Sequence, residues 1–125
     1  MQYALLFYNP PASELPAAQR ERVLGEMLAE MRAWIEELRR AGVFRSTMRL
    51  AGTDAATSLR REAGDVLVID GPFAETKEIL GGLAVIECAD LDEALAWARR
   101  CPLVRIGTVE VRPEWPIASG PVAAR

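Results

Sequence analysis

Apolar residues recur along the chain with two different periods, and these periods predict a mixed fold of helices and strands. Residues 2–8 are apolar on both alternating sets of positions, which predicts a strand covered on both faces. Between about 16 and 41, apolar residues recur every three or four positions, which predicts one long amphipathic helix. Its apolar positions are Leu24, Met27, Leu28, Met31, Trp34, Ile35 and Leu38. Gly42 stands where a C-terminal helix glycine is expected.

The remaining segments predict five more strands and a second helix. Strands are expected over 43–50, 57–61, 66–69, 83–88 and 105–112, with 57–61 and 66–69 forming a hairpin. Asp90 and Glu93 are spaced as a capping box, which predicts a helix over 91–100. Without the hairpin, the order is the βαββαβ pattern of a ferredoxin-like α+β domain with an antiparallel sheet. We expect this domain over 1–113 and an irregular tail over 114–125.

One face of this sheet is predicted to lack a cover within a single chain. Both helices of a ferredoxin-like domain pack on the same face of the sheet. The opposite face carries apolar residues from the strands at 2–8 and 83–88. A second copy of the sheet is the simplest cover, so we predict a homodimer with a barrel-like interior. Trp115, in the proline-rich tail, is expected to dock against the partner subunit.

Composition excludes several classes of function. The chain has 125 residues and a formal net charge of −3, which argues against direct nucleic-acid binding. It contains no histidine, which excludes serine–histidine and cysteine–histidine catalysis within one chain and histidine-based zinc sites. No metal or other cofactor is predicted. The absence of an 18-residue apolar run predicts no membrane span, and two cysteines without a disulfide framework favour a cytoplasmic location.

The segment 66–78 carries the main candidate for chemistry. A β-branched run ends at Asp70, a Gly-Pro turn follows, and a charged loop contains Lys77 and Glu78. Asp70 is the candidate catalytic acid or base, since a partly buried carboxylate at a strand end is suited to proton transfer. The alternative is that it accepts backbone N–H bonds from the turn. Lys77 and Glu78 either line a pocket or form a solvated ion pair.

Polar residues on the sheet face away from the helices are further candidates for ligand binding. Tyr8, Glu110 and Arg112 are predicted there by strand alternation. A charged pair on an apolar face indicates either a binding site or a salt bridge at the rim of a dimer interface.

Several segments together resemble the YCII-related family, in its DGPF branch. The resemblance includes Tyr3 to Tyr8, Asp70-Gly-Pro-Phe73 with Ala74 to Glu78, Gly81-Gly82, Leu91 to Trp97, Cys101-Pro102 and Val109 to Pro113. It implies a ferredoxin-like fold with an added hairpin, in a superfamily of dimeric α/β barrels that includes isomerases, lyases and monooxygenases. In the namesake branch a histidine–aspartate pair is proposed as the active site. Asp70 corresponds to that aspartate, and Ile106 stands where many DGPF sequences have a histidine.

Three hypotheses of function follow. The first is a homodimer that binds a small organic molecule, without assigned catalysis. The second is an isomerase, lyase or dehydrohalogenase-like enzyme that uses Asp70 as acid or base. The third is a regulatory, partner-binding module, because the resemblance implies a link to sigma-factor systems.

Overall fold

A computed structural model describes residues 1–122 as a four-stranded antiparallel sheet with two helices on one face and a separate hairpin. The strands are β1 (Gln2–Asn9), β2 (Phe44–Arg49), β3 (Thr57–Glu62), β4 (Asp65–Asp70), β5 (Ile79–Glu87) and β6 (Thr108–Pro113). The helices are α1 (Ala17–Arg40) and α2 (Leu91–Arg99). The main sheet has the order β2-β5-β1-β6, and β3 pairs with β4 alone. The predicted ferredoxin-like α+β fold with an inserted hairpin is confirmed.

The core lies between the helices and one face of the sheet. Alternate residues of β1 and β5 are buried, as a strand with one covered face requires. The core residues are Tyr3, Leu5, Phe7, Trp34, Leu38, Val43, Ala84, Ile86, Cys88, Ala94, Ala98, Cys101 and Leu103. The indole N–H of Trp34 donates to the carbonyl of Trp97 at 3.1 Å, which joins α1 to α2.

The other face of the sheet, called the open face below, lies opposite both helices. Leu6 on β1 lies between Leu83 on β5 and Glu110 on β6, and Ala4 lies between Val85 and Arg112. Leu6, Leu83 and Val85 are all partly exposed in the single chain. The apolar open face predicted from the sequence is therefore present in the structure.

Helix α1 ends as predicted but packs over only half of its length. Val43 N–H donates to the carbonyl of Leu38 at 3.2 Å, and Gly42 N–H donates to Arg39 at 3.0 Å, which together form a Schellman motif. Gly42 has φ +75°, a conformation that glycine adopts without strain. Only Trp34 and Leu38 are buried along the predicted apolar stripe, whereas Leu24 is 49% exposed. The N-terminal half of α1 is therefore packed less closely than the C-terminal half.

Helix α2 begins with the predicted capping box. The carboxylate of Asp90 accepts the N–H of Glu93 at 2.9 Å. The carboxylate of Glu93 reaches back to the N–H of Ala89 at 2.7 Å, one residue upstream of the usual partner. Two backbone donors at the start of α2 are thereby satisfied.

Removal of this cap should destabilise the domain measurably. Asp90→Ala is expected to lower the free energy of unfolding by about 1 kcal/mol, because the first turn of α2 loses its acceptor. Asp90→Asn should retain nearly all of the stability, since asparagine caps helices about as well. Urea unfolding followed by circular dichroism measures both variants. An equal loss in the asparagine variant would show that charge, rather than hydrogen bonding, stabilises this helix end.

Two strand boundaries differ from the prediction for local reasons. Strand β5 starts at Ile79 rather than 83, because Gly82 pairs with both Phe7 and Arg49 inside the sheet. A Cβ on Gly82 would lie 2.7 Å from the carbonyl oxygen of Met48, so only glycine allows this close approach. Strand β6 starts at Thr108 rather than 105, because Pro102–Arg105 forms a 3-10 helix.

The C-terminal segment folds back on itself after β6. The indole N–H of Trp115 donates to the carbonyl of Gly120 at 2.9 Å, and a 3-10 helix spans Ile117–Ser119. Trp115 and Ile117 remain exposed in the single chain. The tail was predicted over 114–125, of which residues 123–125 lie outside the described residues.

Candidate functional site

A cleft of about 860 Å³ lies between the N-terminal half of α1 and the helix-facing side of the sheet. Its volume falls within the range typical of small-molecule sites. From α1 the lining includes Gly25, Met27, Leu28, Met31, Arg32, Ile35, Glu36 and Arg39. From the sheet it includes Phe7, Thr47, Met48, Arg49 and Gly82. Several of these are exposed, so the cleft opens to solvent.

The cleft exists because side chains are missing on both of its sides. Gly25 lies within α1, and an added Cβ there would meet no atom within 4 Å. Gly82 lies across from it on β5, with its backbone tight against β2. Side chains normally fill the space between packed elements. Without them at these two positions, a space remains.

The wall of the cleft is apolar and adaptable. Met27 and Met31 of α1 line it, whereas Met48 of β2 borders it through its backbone and points its side chain to the open face beside Leu83. Methionine side chains are flexible and polarizable, so they can adjust to ligands of different shape. Phe7 closes the inner end, held edge-to-face against Trp34 with the ring centroids 6.0 Å apart.

Charged residues at the mouth of the cleft are mainly basic. Arg39 is 3.6 Å from the carboxylate of Glu36, and its guanidinium lies 4.6 Å from the ring centroid of Phe44. Arg32 on α1 and Arg49 on β2 have no carboxylate within ion-pair distance among residues 1–122. Two unpaired guanidinium groups therefore flank an apolar cleft.

The thiols are unsuited to nucleophilic chemistry. Burial raises the pKa of Cys101 to about 11, and its Sγ lies 3.6 Å from the sulfur of Met31. Burial, reinforced by the carboxylate of Glu93, also raises the pKa of Cys88. Since the thiolate is the nucleophile, both residues are packing groups at neutral pH.

Four of the six residues predicted for the site lie along the β6 side of the open face. Tyr8 lies opposite Thr108, whose hydroxyl donates to the carboxylate of Glu78 at 3.2 Å. Glu110 and Arg112 form an ion pair at 3.9 Å, with both side chains more than 40% exposed. An exposed pair of this kind contributes little stability. These residues line the surface that a second subunit would cover.

Asp70 and Lys77, the other two predicted residues, lie apart from this group. Asp70 ends β4 opposite Thr57, and its side chain is exposed in the single chain. Its carboxylate accepts no hydrogen bond within residues 1–122, so the expected bracing of the turn is not observed. Instead, Gly71 N–H donates to Ala56 at 2.7 Å, and the Ser58 hydroxyl donates to the carbonyl of Gly71 at 2.8 Å. Lys77 is exposed on the following loop.

The cleft residues were missed because the sequence pattern assigned them to the core. Met27, Leu28 and Met31 have the spacing of an ordinary apolar stripe. The signal that distinguishes them is Gly25, a glycine inside a helix, where it costs about 0.5–1 kcal/mol relative to alanine. A helix glycine on the apolar face, together with Gly81-Gly82 in a strand, indicates space between the two elements.

Two further kinds of feature are absent from the described part of the chain. No group of three or more acidic or cysteine side chains converges as metal ligands within residues 1–122. Neither α1 nor α2 combines the length and the apolar composition needed to cross a lipid bilayer.

Comparison with known proteins identifies the family. The model of the YCII-related domain matches residues 1–118. An uncharacterised protein of Rhizobium meliloti (strain 1021) is 44% identical over 117 residues, covering 90% of this chain and 91% of the relative. The structure of 5-chloro-2-hydroxyhydroquinone dehydrochlorinase from Burkholderia phenoliruptrix, in complex with 2,5-dihydroxybenzoquinone, matches with a TM-score of 0.54 and 14% identity. That match covers 93% of this chain and 94% of the dehydrochlorinase, and it shows a shared fold. The chain belongs to the YCII-related family.

Proposed function

We propose that the protein is a homodimer that binds a small organic molecule in the cleft between α1 and the sheet. The observation that carries this proposal is the cleft itself, which is apolar, about 860 Å³ in volume and open to solvent. Apolar side chains that line an open cleft stay in contact with water and lack packing contacts on that side. A ligand that fills the space restores those contacts.

The glycine in α1 supports a binding role for the cleft. Alanine at Gly25 would meet no steric obstacle and would favour the helix, yet glycine is present. The stability lost at this position is explained if the missing side chain leaves room for a ligand.

The open face supports the homodimer. Leu6, Leu83 and Val85 are partly exposed there, and burial of an aliphatic side chain contributes about 1.5–3 kcal/mol when it is complete. Two open faces related by a two-fold axis would cover each other with the same residues. The sheet face spans roughly 400 Å² in projection, which is a large part of the roughly 800 Å² that each partner buries in a standard interface.

The hairpin of β3 and β4 supplies further surface for a partner. It makes no extensive contact with the rest of residues 1–122, and a lone hairpin is marginally stable in water. Leu59 and Val68 lie opposite each other on one of its faces, and both are 65% exposed. Phe73, in the loop that follows, is 86% exposed. Contact with the second subunit would bury these residues and stabilise the hairpin.

An enzyme is the second candidate function. It is favoured by the dehydrochlorinase that shares the fold over most of the chain and was solved with a quinone-type ligand. In this case Asp70 would act as acid or base, and the carboxylate would need burial by the partner subunit to be suited to proton transfer. The Asp70→Ala variant separates the two functions, because a binding protein with its ligand in the cleft should not need this carboxylate.

A cavity-filling substitution tests the proposed site. Gly25→Leu should place a side chain in the cleft and reduce the rise in melting temperature that a bound ligand produces. Gly25→Ala is the matched control, because it stabilises α1 by a similar amount and leaves most of the cleft open. A thermal-shift screen of small aromatic and aliphatic compounds, run on wild type, both Gly25 variants and Asp70→Ala, gives the readout.

The pattern across these variants assigns the site. We expect compounds whose stabilising effect on the melting temperature is retained in Gly25→Ala and Asp70→Ala and is smaller in Gly25→Leu. Hits that survive unchanged in Gly25→Leu would exclude the cleft. Hits that are lost only in Asp70→Ala would instead place the ligand beside the hairpin.

A further inference from the structure

We propose that the ligand of the cleft is an apolar molecule with a single anionic group, such as a carboxylate, held between Arg32 and Arg49. This inference rests on the proposed binding function and adds the chemical class of the ligand.

The two arginines flank the cleft from opposite walls. Arg32 lies on α1 one turn after Leu28, and both line the cleft. Arg49 lies on β2 directly opposite Gly82, on the side of the sheet that faces the helices. A group held between them would touch both the helix and the sheet.

The cleft carries a net charge opposite in sign to that of the whole protein. The charged lining residues are Arg32, Glu36, Arg39 and Arg49, with a net charge of +2, whereas the full chain carries −3. Glu36 is already engaged by Arg39. A guanidinium donates charge-assisted hydrogen bonds to carboxylate oxygens, often in pairs. Arg32 and Arg49 therefore favour an anion over a neutral or cationic ligand of the same shape.

The rest of the lining is uncharged, with Asn9 at the end of β1 and Thr47 on β2 as its polar side chains. Thr47 already donates its hydroxyl to the carbonyl of Leu83 at 3.0 Å. The inner wall consists of methionines, Leu28, Ile35 and Phe7, which offer no strong hydrogen bond. A second charged group placed against this wall would lose its hydration without compensation. The body of the ligand is therefore apolar.

A pair of fluorescent probes that differ only in charge tests the inference. 8-Anilinonaphthalene-1-sulfonate carries one sulfonate, and N-phenyl-1-naphthylamine has the same ring system without it. Each is titrated into wild type, the double variant Arg32→Gln/Arg49→Gln and the control Arg22→Gln/Arg40→Gln. The control removes two exposed arginines of α1 that do not line the cleft, so both variants change the net charge equally.

The sulfonate probe should bind about two- to thirtyfold more weakly to Arg32→Gln/Arg49→Gln, as expected for the loss of two solvent-exposed ion pairs. The neutral probe should bind that variant as it binds wild type, and the control should bind both probes like wild type. If the affinity for the sulfonate probe falls equally in both double variants, or in neither, the inference about the anionic group is wrong. This result would not contradict the proposed binding site in the cleft. Neutral-probe binding that persists in Gly25→Leu would overturn the proposed function itself.

Discussion

Leu6→Arg is expected to convert the proposed homodimer into a folded monomer. Leu6 lies in the middle of the open face, between Leu83 and Glu110, and its side chain points away from the core. Each two-fold interface would then contain two added guanidinium groups, beside a Glu110 that already pairs with Arg112. Burial of an unpaired charge costs at least about 3 kcal/mol, which weakens association more than a hundredfold. Sedimentation velocity at micromolar concentration measures the change.

The matched control for this prediction is Ala33→Arg. Ala33 is exposed on α1, so arginine there should leave the sedimentation coefficient of the dimer unchanged. Circular dichroism should show native secondary structure in both variants, because position 6 faces outward in the single chain. A wild-type protein that sediments as a monomer, with Leu6, Leu83 and Val85 shielded from solvent, would refute the homodimer.

Leu38→Ala should cause a large loss of stability. Leu38 is fully buried, and its carbonyl accepts the last hydrogen bond of the Schellman motif. Truncation of a buried leucine leaves a cavity and costs about 2–5 kcal/mol. A domain of this size is stable by about 5–15 kcal/mol, so the variant would lose a substantial fraction of its stability.

Leu24→Ala makes the same chemical change on the same helix at a half-exposed position. It should alter the free energy of unfolding by no more than about 0.5 kcal/mol. Chemical denaturation at equal protomer concentration compares the two variants, because dimerisation makes stability depend on concentration. Similar losses at both positions would mean that the N-terminal half of α1 is packed as firmly as the C-terminal half, and that the cleft is closed.

The elements of the fold follow from short-range patterns and were predicted closely. The periodicity of residues 16–41 and the glycine at position 42 located α1 to within one residue at each end. The spacing of Asp90 and Glu93 located the start of α2. Both signals are local, because a helix depends on its own periodicity and on the hydrogen bonds at its two ends. The motif around Asp70 indicated the family, which the match over residues 1–118 confirms.

The candidate site was predicted less well. Tyr8, Glu78, Glu110 and Arg112 do lie on the β6 side of the open face, because alternation along a strand assigns each residue to a face. Whether they bind a ligand or border the proposed subunit interface stays a prediction. Asp70 was expected to be a partly buried carboxylate at a strand end, but it is exposed in the single chain and does not line the cleft. The hairpin holds Asp70 away from the helices, and no local pattern reports the position of a hairpin relative to the main sheet.

The sequence by itself determined which residues form each helix and strand, which face of each is apolar, and the family to which the chain belongs. Only the tertiary structure decided how far α1 stands from the sheet. That distance depends on the volumes of side chains far apart in the chain, and Gly25 contributes none on the helix side of the cleft. Periodicity records the direction in which a residue points, whereas packing between distant elements decides whether it meets a neighbour or an empty space.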